Sequence, residues 1–178
     1  MNVLQPTAEL ERWYEKPDPW QYESNPDDLN RRAMLLSVLP KRQYQSVLDI
    51  GCGDGFITRR LPGKSVTGID VSANAIQWAK RSAAPHITYL QYSLFDLTEL
   101  DWEGKFDLVV ATGVFYPQYI AQSKKLVYEI LDRILAPGGI LVSAHINEWY
   151  TLRFPYVTLH REYYSYREYT HILEVYLK

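Results

Sequence analysis

The chain has little of several features that would indicate a secreted, membrane or nucleic-acid-binding protein. It contains one cysteine, Cys52, so an internal disulfide bond is excluded. No apolar run approaches the roughly 20 residues that span a bilayer, and the first residues lack the basic-then-apolar pattern of a signal peptide. The net charge of −2 offers no basic surface for nucleic acid or anionic membranes. We therefore expect a cytoplasmic protein that acts on small molecules.

Aromatic residues, by contrast, are abundant. The 178 residues include 15 Tyr and five Trp, many of them before Leu36 or after Glu148. Rigid amphipathic rings in such segments are suited to cover a cavity. We expect a single domain over 1–178, with an N-terminal arm or lid (1–28), a ligand-binding core (29–147) and a C-terminal hairpin (148–178).

The middle of the chain alternates short apolar runs with helical patterns. Five runs are interpreted as strands: SVLDI, SVTGID, ITYLQ, FDLVVA and ILVSAHI. Helices are expected at Leu29–Leu39, with its apolar residues on one face, near Phe56–Leu61, at Ala73–Ala83 and at Tyr119–Leu135. Ser72 is expected to cap the N-terminus of the helix at Ala73–Ala83. Continuously apolar strands that alternate with helices predict an α/β fold, with five parallel strands, helices on both faces and a terminal antiparallel hairpin.

A glycine loop follows the first predicted strand. Asp49 precedes Gly51, Gly53 and Gly55, and Asp70 ends the second strand, where a carboxylate can accept hydrogen bonds from ribose hydroxyls. The glycines run G-x-G-x-G and not the dinucleotide pattern G-x-G-x-x-G. A pyrophosphate disfavours a neighbouring carboxylate, whereas a sulfonium amino acid gains from one. The loop therefore favours a cationic cofactor over a dinucleotide.

Four successive segments, VLDIGCGDGFIT, GIDVSANAIQWAK, FDLVVATGVFY and ILAPGGILV, resemble the motifs of class I S-adenosylmethionine-dependent methyltransferases. The resemblance covers residues 46–147 and implies their Rossmann-like sheet. Upstream, RWYEKPDPWQYESNPDDLNRRAMLLSVLP resembles the corresponding segment of the nodulation protein S family. That family consists of small methyltransferases that N-methylate an amino sugar.

The resemblance implies a site for S-adenosyl-L-methionine, with S-adenosyl-L-homocysteine as the product. Asp49 would lie near the cofactor's ammonium group, Asp70 would bind the ribose, and Val71 would pack on the adenine. Thr112 and Gly113 would face the methionine moiety. The implied cofactor residues are Asp49, Gly51, Cys52, Gly53, Gly55, Asp70, Val71, Ser93, Leu94, Thr112 and Gly113.

Two positions depart from the family pattern. Ser93 and Leu94 stand where an Asp usually meets the adenine amino group; Asp96 or backbone groups could serve instead. Thr112 and Gly113 stand where the family often has an acidic residue after the fourth strand. This departure disfavours an acid-assisted mechanism and favours other residues for a role in catalysis.

The N-terminal arm is expected to close the site from above. Its aromatic residues would shield the sulfonium, since aromatic faces attract cations; they could equally be a plain core cover. Arg31 or Arg32 could pair with the cofactor's carboxylate, and Arg32 is preferred. The arm residues assigned to the shield are Trp13, Tyr14, Trp20 and Tyr22.

The methyl acceptor needs to lose a proton, so a general base is expected. His145, at the carboxyl end of the fifth strand, is the leading candidate, with Tyr116 and then Glu148 beside it. His145 could equally be a structural residue. The remaining histidines are expected to be structural or exposed, and they lack the spacing of a metal site.

Three functions remain open at this stage. The first is methyl transfer to a small polar metabolite, by N- or O-methylation. The second is a non-catalytic cofactor-binding regulatory protein of the same fold, and the third is an NAD(P)-dependent oxidoreductase, which the glycine spacing disfavours. The short link between the fifth strand and the hairpin predicts an acceptor pocket that is unusually open or completed by a partner subunit, as in a homodimer.

Overall fold

Seven strands form one mixed sheet in the computed structural model, which describes residues 4–178. They are β1 (Ser46–Ile50), β2 (Ser65–Asp70), β3 (Ile87–Gln91), β4 (Phe106–Thr112), β5 (Leu135–Ile146), β6 (Val157–Tyr166) and β7 (Tyr169–Leu177). Their order across the sheet is β3-β2-β1-β4-β5-β7-β6. The first five are parallel, and β7 pairs antiparallel with both β5 and β6. The predicted α/β fold, with five parallel strands and a terminal hairpin, is confirmed.

Helices cover both faces of this sheet. They are α1 (Thr7–Trp13), α2 (Pro26–Ser37), α3 (Ala73–Arg81), α4 (Pro117–Ile120) and α5 (Lys124–Ile134). Alternate residues of β4 point to opposite faces: Val110 joins the core beneath α2 and α3, and Val109 joins the core beneath α5. Within residues 4–178, no helix is both long and apolar enough to cross a membrane.

Two predicted helices differ from the structure. The segment Phe56–Leu61 forms only a 3₁₀ turn over Thr58–Arg60, because Pro62 forces the preceding residue into an extended conformation. The helix expected at Tyr119–Leu135 is divided into α4 and α5, since Ala121 has a left-handed φ of 47°.

Helix α2 differs in its bounds and in its buried face. Asn25 accepts a hydrogen bond from the backbone of Asp27, and Pro26 occupies the first helical position, so the helix begins before Leu29. Its buried residues are Asp28, Arg31 and Leu35, whereas Leu29 is exposed. The expected apolar face was wrong for Leu29, and it did not include the ion pair of Asp28 and Arg31, which lies beside the buried Leu35.

The predicted cap of α3 provides a test of local stability. The Ser72 hydroxyl accepts from the backbone N–H of Ala75 and donates to Glu11. We predict that Ser72→Ala lowers the free energy of unfolding by about 1 kcal/mol or somewhat more, the usual cost of losing such a cap. Urea denaturation measures it. Ser37→Ala, which alters an exposed hydroxyl at the end of α2, should change stability less; equal effects would contradict the assignment.

Candidate functional site

The candidate site lies at the carboxyl ends of the parallel strands. The strand order reverses between β1 and β4, and open α/β sheets bind ligands in the crevice at such a point. The loop after β1 carries the three glycines of the motif. The arm and α2 cover this edge from one side, and the hairpin borders it from another.

Asp70 connects the glycine loop to α3. One carboxylate oxygen accepts from the backbone N–H of Gly53 at 2.9 Å, and the other accepts from the N–H of Ser72 at 2.9 Å. Burial raises the pKa of Asp70, while these two hydrogen bonds lower it. The side chain thus fixes the loop while it remains half-buried at the edge of the sheet.

Asp49 is a buried carboxylate without a cationic partner in contact among residues 4–178. It is 1% exposed, and it accepts a hydrogen bond of 2.6 Å from the Thr58 hydroxyl. Burial raises its pKa to about 7, and the charge of nearby Asp70 adds to the effect. Burial also raises the pKa of Asp54 in the same loop. A cationic ligand would stabilise these carboxylates in their charged form.

The glycines permit close packing around the loop. Gly51 and Gly53 have φ angles of 70° and 56°, and Gly55 has a φ of 88°. A Cβ on Gly51 would overlap Val114, and one on Gly53 would lie 2.5 Å from the Tyr14 hydroxyl oxygen. Side chains are therefore excluded here both by conformation and by space.

Cys52 lies inside this loop and is buried. Burial raises the pKa of its thiol well above the ordinary value, and the carboxylates of Asp70 and Asp49 raise it further. The thiol therefore stays protonated at neutral pH. It contributes apolar volume to the core and not a reactive thiolate.

Helix α1 docks on the first turn of α3 through Glu11. Its carboxylate accepts from the backbone N–H groups of Ala73 and Asn74 at 2.6 and 3.1 Å, which places negative charge at a helix N-terminus. The carbonyl of Tyr14 accepts from the Trp78 indole at 2.9 Å. The Tyr14 ring is thereby buried against the glycine loop.

The rest of the arm is an aromatic stack. Trp20 packs edge-on against Tyr14 and stacks on Tyr22, whose ring contacts Phe56 just after the glycines. Arg32 lies over the Phe56 ring, 4.1 Å from its centroid, and donates to the Phe56 carbonyl at 3.1 Å. Tyr14 and Tyr22 therefore lie beside the glycine loop with Trp20 between them, whereas Trp13 is 43% exposed and packs only on Trp20.

Residues assigned to the adenine follow β2 and β3. Val71, Ser93 and Leu94 are half-buried there. The Ser93 N–H donates to the exposed Asp96 carboxylate at 2.7 Å, and the Asp96 N–H returns a hydrogen bond to the Ser93 hydroxyl. Asp96 is thus occupied in closing a turn.

Two hydrogen bonds connect the loop after β4 to the end of β5. Thr112 and the left-handed Gly113 begin this loop, and both are half-buried. The Phe115 N–H donates to His145 Nε2 at 3.1 Å. The Ile146 N–H donates to the Tyr116 hydroxyl at 2.7 Å. Together they set the shape of the crevice between β4 and β5.

His145 has both ring nitrogens engaged. Nε2 accepts from Phe115, and Nδ1 lies 3.0 Å from the Ser143 hydroxyl. The ring is fully buried and stacks on Phe115 and Tyr150. Burial lowers its pKa well below the ordinary value. This geometry favours a positioning role; the role of general base stays a prediction.

Tyr116 is suited to donate a hydrogen bond. Burial raises its pKa to about 12, so the hydroxyl stays protonated. Because its oxygen already accepts from Ile146, its own hydrogen remains free to donate. Tyr116 can therefore donate a hydrogen bond at the crevice. Glu148 is exposed and accepts from the Thr170 N–H at 3.3 Å.

Sequence reasoning missed the buried Asp28, and it named Arg31 only as the less preferred partner of the cofactor's carboxylate. Asp28 and Arg31 share the buried face of α2. His171, expected to be structural or exposed, is 3% exposed and lies beside Ile146 in the β5–β7 register. The i, i+3 spacing of Asp28 and Arg31 was the only available signal.

Comparisons with known proteins agree with this geometry. Residues 41–173 match the family model described as a methyltransferase domain. Nodulation protein S of Rhizobium tropici is 33% identical over 155 residues, which cover 84% of this chain and 63% of that protein. Trans-aconitate 2-methyltransferase of Deinococcus radiodurans is 30% identical over 129 residues, covering 70% of this chain and 47% of that protein. The chain thus spans about half to two thirds of these relatives.

A solved structure extends the agreement to the whole fold. The N-methyltransferase NodS of Bradyrhizobium japonicum, in complex with S-adenosyl-L-homocysteine, has a TM-score of 0.78 and 25% identity. The similarity covers 97% of each chain. The resemblance to class I methyltransferases and to the nodulation protein S family is therefore confirmed. Because the family model matches most of its length, the chain belongs to the methyltransferase-domain family.

Proposed function

We propose that the chain transfers a methyl group from S-adenosyl-L-methionine to a small polar acceptor, with the nitrogen of an amino sugar as the leading candidate. The observation that carries this proposal is the close-packed glycine loop, bordered by the buried carboxylate of Asp49, which contacts no cation among residues 4–178. The family match and the likeness to NodS support it. S-adenosyl-L-homocysteine is the product that such a reaction leaves.

The charge of the site fits this cofactor. S-adenosylmethionine carries a sulfonium and an ammonium group, and Asp49 and Asp54 have raised pKa values because their charges are buried. A bound cation would offset the cost of that burial. A nicotinamide dinucleotide, with its anionic pyrophosphate, would increase the cost.

Different residues around the loop would bind different parts of the cofactor. Asp49 would face the ammonium group. Asp70 uses one lone pair on each oxygen for Gly53 and Ser72, so lone pairs remain for ribose hydroxyls. Val71 would pack on the adenine. The remaining residues of the proposed contact set are Gly51, Cys52, Gly55, Ser93, Leu94, Thr112, Gly113, Arg32, Tyr14 and Trp20.

The sulfonium supplies an activated methyl group when the cofactor is bound. The chain itself has to align the acceptor and exclude water. Tyr14 and Trp20 would exclude water from above. Tyr116 would donate a hydrogen bond to the acceptor, and His145 would hold the Phe115 loop in place. A completing partner subunit and a cytoplasmic location stay predictions.

We predict that the Asp49 carboxylate makes the ligand-free protein less stable at higher pH. Its pKa in the folded state, about 7, exceeds its ordinary value of 3.8. The folded state therefore binds more protons between these values, and stability falls as pH rises through that window, by up to about 1.4 kcal/mol per pH unit. Asp49→Asn should remove this part of the slope, as measured by urea unfolding from pH 4 to 8.

The same variant should bind the cofactor product more weakly. Calorimetry with S-adenosylhomocysteine is expected to show a loss of about tenfold or more, since the ammonium loses its partner. Asp101→Asn, an exposed control, should change neither quantity. An Asp49→Asn protein that is less stable than the wild type at pH 8 would contradict the proposed charge imbalance. Binding of NADH in place of S-adenosylhomocysteine would favour the oxidoreductase alternative.

Turnover separates the enzyme from a non-catalytic binding protein. We predict that mass spectrometry of reactions with amine and hydroxyl metabolites, D-glucosamine among them, shows methyl addition to an amine. His145→Ala should lower kcat by about 10–100-fold through the released Phe115 loop, without changing the shape of the pH profile. A changed pH profile would instead support His145 as the general base. Bound cofactor with no methylated product would support the regulatory alternative.

A further inference from the structure

A line of buried polar side chains runs from the crevice along β5 and reaches β7. Ser143 and His145 are alternate residues of β5, so they share one face of the sheet. Glu174 of β7 lies directly opposite Ser143 in the strand register. Tyr150, from the segment between β5 and β6, stacks on His145 with the ring centroids 4.4 Å apart. None of these four residues is more than 3% exposed, so their hydrogen bonds have to be made within the protein.

The hydrogen bond from Phe115 determines which nitrogen of His145 carries a hydrogen. The Phe115 N–H donates to Nε2, so Nε2 has no hydrogen of its own. Burial lowers the pKa of His145 well below the ordinary value, which keeps the ring neutral. A neutral imidazole has a single N–H, and here it is on Nδ1. This Nδ1–H donates to Ser143 Oγ, which lies 3.0 Å away.

The next two hydrogen bonds continue in the same direction. Because Ser143 Oγ accepts from His145, its own hydrogen is directed to the Tyr150 hydroxyl oxygen, 3.0 Å away. The Tyr150 oxygen accepts that hydrogen bond, so the hydrogen of Tyr150 remains to be donated onward. The chain therefore needs a terminal acceptor that is itself buried.

Glu174 offers such an acceptor. Its Oε1 accepts from Arg161 Nε at 2.8 Å, whereas its Oε2 is buried and has no partner among residues 4–178. Burial raises the pKa of Tyr150, and the nearby charge of Glu174 raises it further. The Tyr176 hydroxyl is also buried without a partner, and one carboxylate oxygen has lone pairs for two donors. A buried acceptor without a donor is costly, so donation from Tyr150 would satisfy both groups.

The direction of the chain matters for the loop after β4. In the opposite direction, Ser143 would donate to Nδ1, and His145 would carry its hydrogen on Nε2. That hydrogen would face the Phe115 N–H, which leaves two buried donors without an acceptor between them. An ionised carboxylate at the far end opposes this reversal, because Glu174 has no hydrogen to donate back.

We propose that Glu174 accepts the hydrogen of Tyr150 and is thereby a positioning residue for the crevice. Through Ser143 it fixes the tautomer of His145 that holds the loop after β4, where Thr112 and Gly113 lie. The Arg161 side chain, 42% exposed, ends the chain at the protein surface. The tautomer is independent of the reaction, whereas the effect on turnover rests on the proposed function.

Correlation NMR of the imidazole nitrogens tests the tautomer, with the His145 signals assigned by their loss in His145→Gln. The wild type is expected to carry its hydrogen on Nδ1 at pH 7. Glu174→Gln, whose amide can donate as well as accept, should shift part of the population to the Nε2–H tautomer. Tyr150→Phe keeps the stacked ring and should cause the same shift if the Gln variant folds poorly. Arg161→Gln removes the exposed partner of the same carboxylate and should keep the wild-type tautomer.

Methyl transfer gives the second readout. Glu174→Gln should lower kcat roughly tenfold through the released loop, with little change in the acceptor KM, and Arg161→Gln should keep the wild-type kcat. The inference is overturned if the wild type carries Nε2–H or if Arg161→Gln shifts the tautomer as much as Glu174→Gln. It is also overturned if Glu174→Gln, or Tyr150→Phe where the Gln variant does not fold, keeps the Nδ1–H tautomer. A shifted tautomer with unchanged kcat overturns the positioning role.

The two proposals fail separately. A wild-type protein that binds no S-adenosylhomocysteine and methylates no acceptor contradicts the proposed function. The tautomer then decides alone for Glu174: a shift in Glu174→Gln but not in Arg161→Gln supports the hydrogen-bond chain, and no shift overturns it.

Discussion

The carboxylate of Asp70 is the contact on which the arrangement of the site depends. The loops after β1 and β2 start from neighbouring parallel strands, and Asp70 joins them by accepting from Gly53 and Ser72. The N-terminus of α3 is thereby fixed beside the glycines. Glu11 can then cap the same turn and dock α1 on it. One side chain thus sets the positions of the loop, the helix and, indirectly, the arm.

Opposite buried charges are left incompletely paired at the two sides of the crevice. Asp49 is a carboxylate without a cation in contact, and Arg31 has an Nε–H without an acceptor, among residues 4–178. Each makes the ligand-free fold less stable, because buried charge is costly unless it is paired. A cationic ligand at Asp49 would relieve the first of these costs. Binding is therefore expected to stabilise this fold by more than its contact area alone suggests, through linkage between ligand binding and folding.

The sequence was sufficient for the elements that local patterns encode. Apolar runs located the five parallel strands, and the serine at position 72 correctly predicted a helix cap. It was insufficient for side-chain environments that depend on residues far apart in the chain. The inward face of α2 is partly polar because Arg167, on the hairpin turn, pairs with the buried Asp28. Likewise, the hydrogen bond to Nε2 of His145 comes from Phe115 on the loop after β4, which no periodicity of β5 reveals.

The same distinction explains why the methyl donor is easier to infer than the acceptor. The donor site rests on one contiguous loop and on the ends of two adjacent strands, so a short motif carries its chemistry. The acceptor side is proposed to lie towards α2 and the hairpin, which the ion pair between Asp28 and Arg167 holds together across more than a hundred residues. Arg167 also donates to the carbonyl of Trp20, which connects the arm to the hairpin. The surroundings proposed for the acceptor thus depend on tertiary contacts between distant residues, which no motif of the sequence encodes.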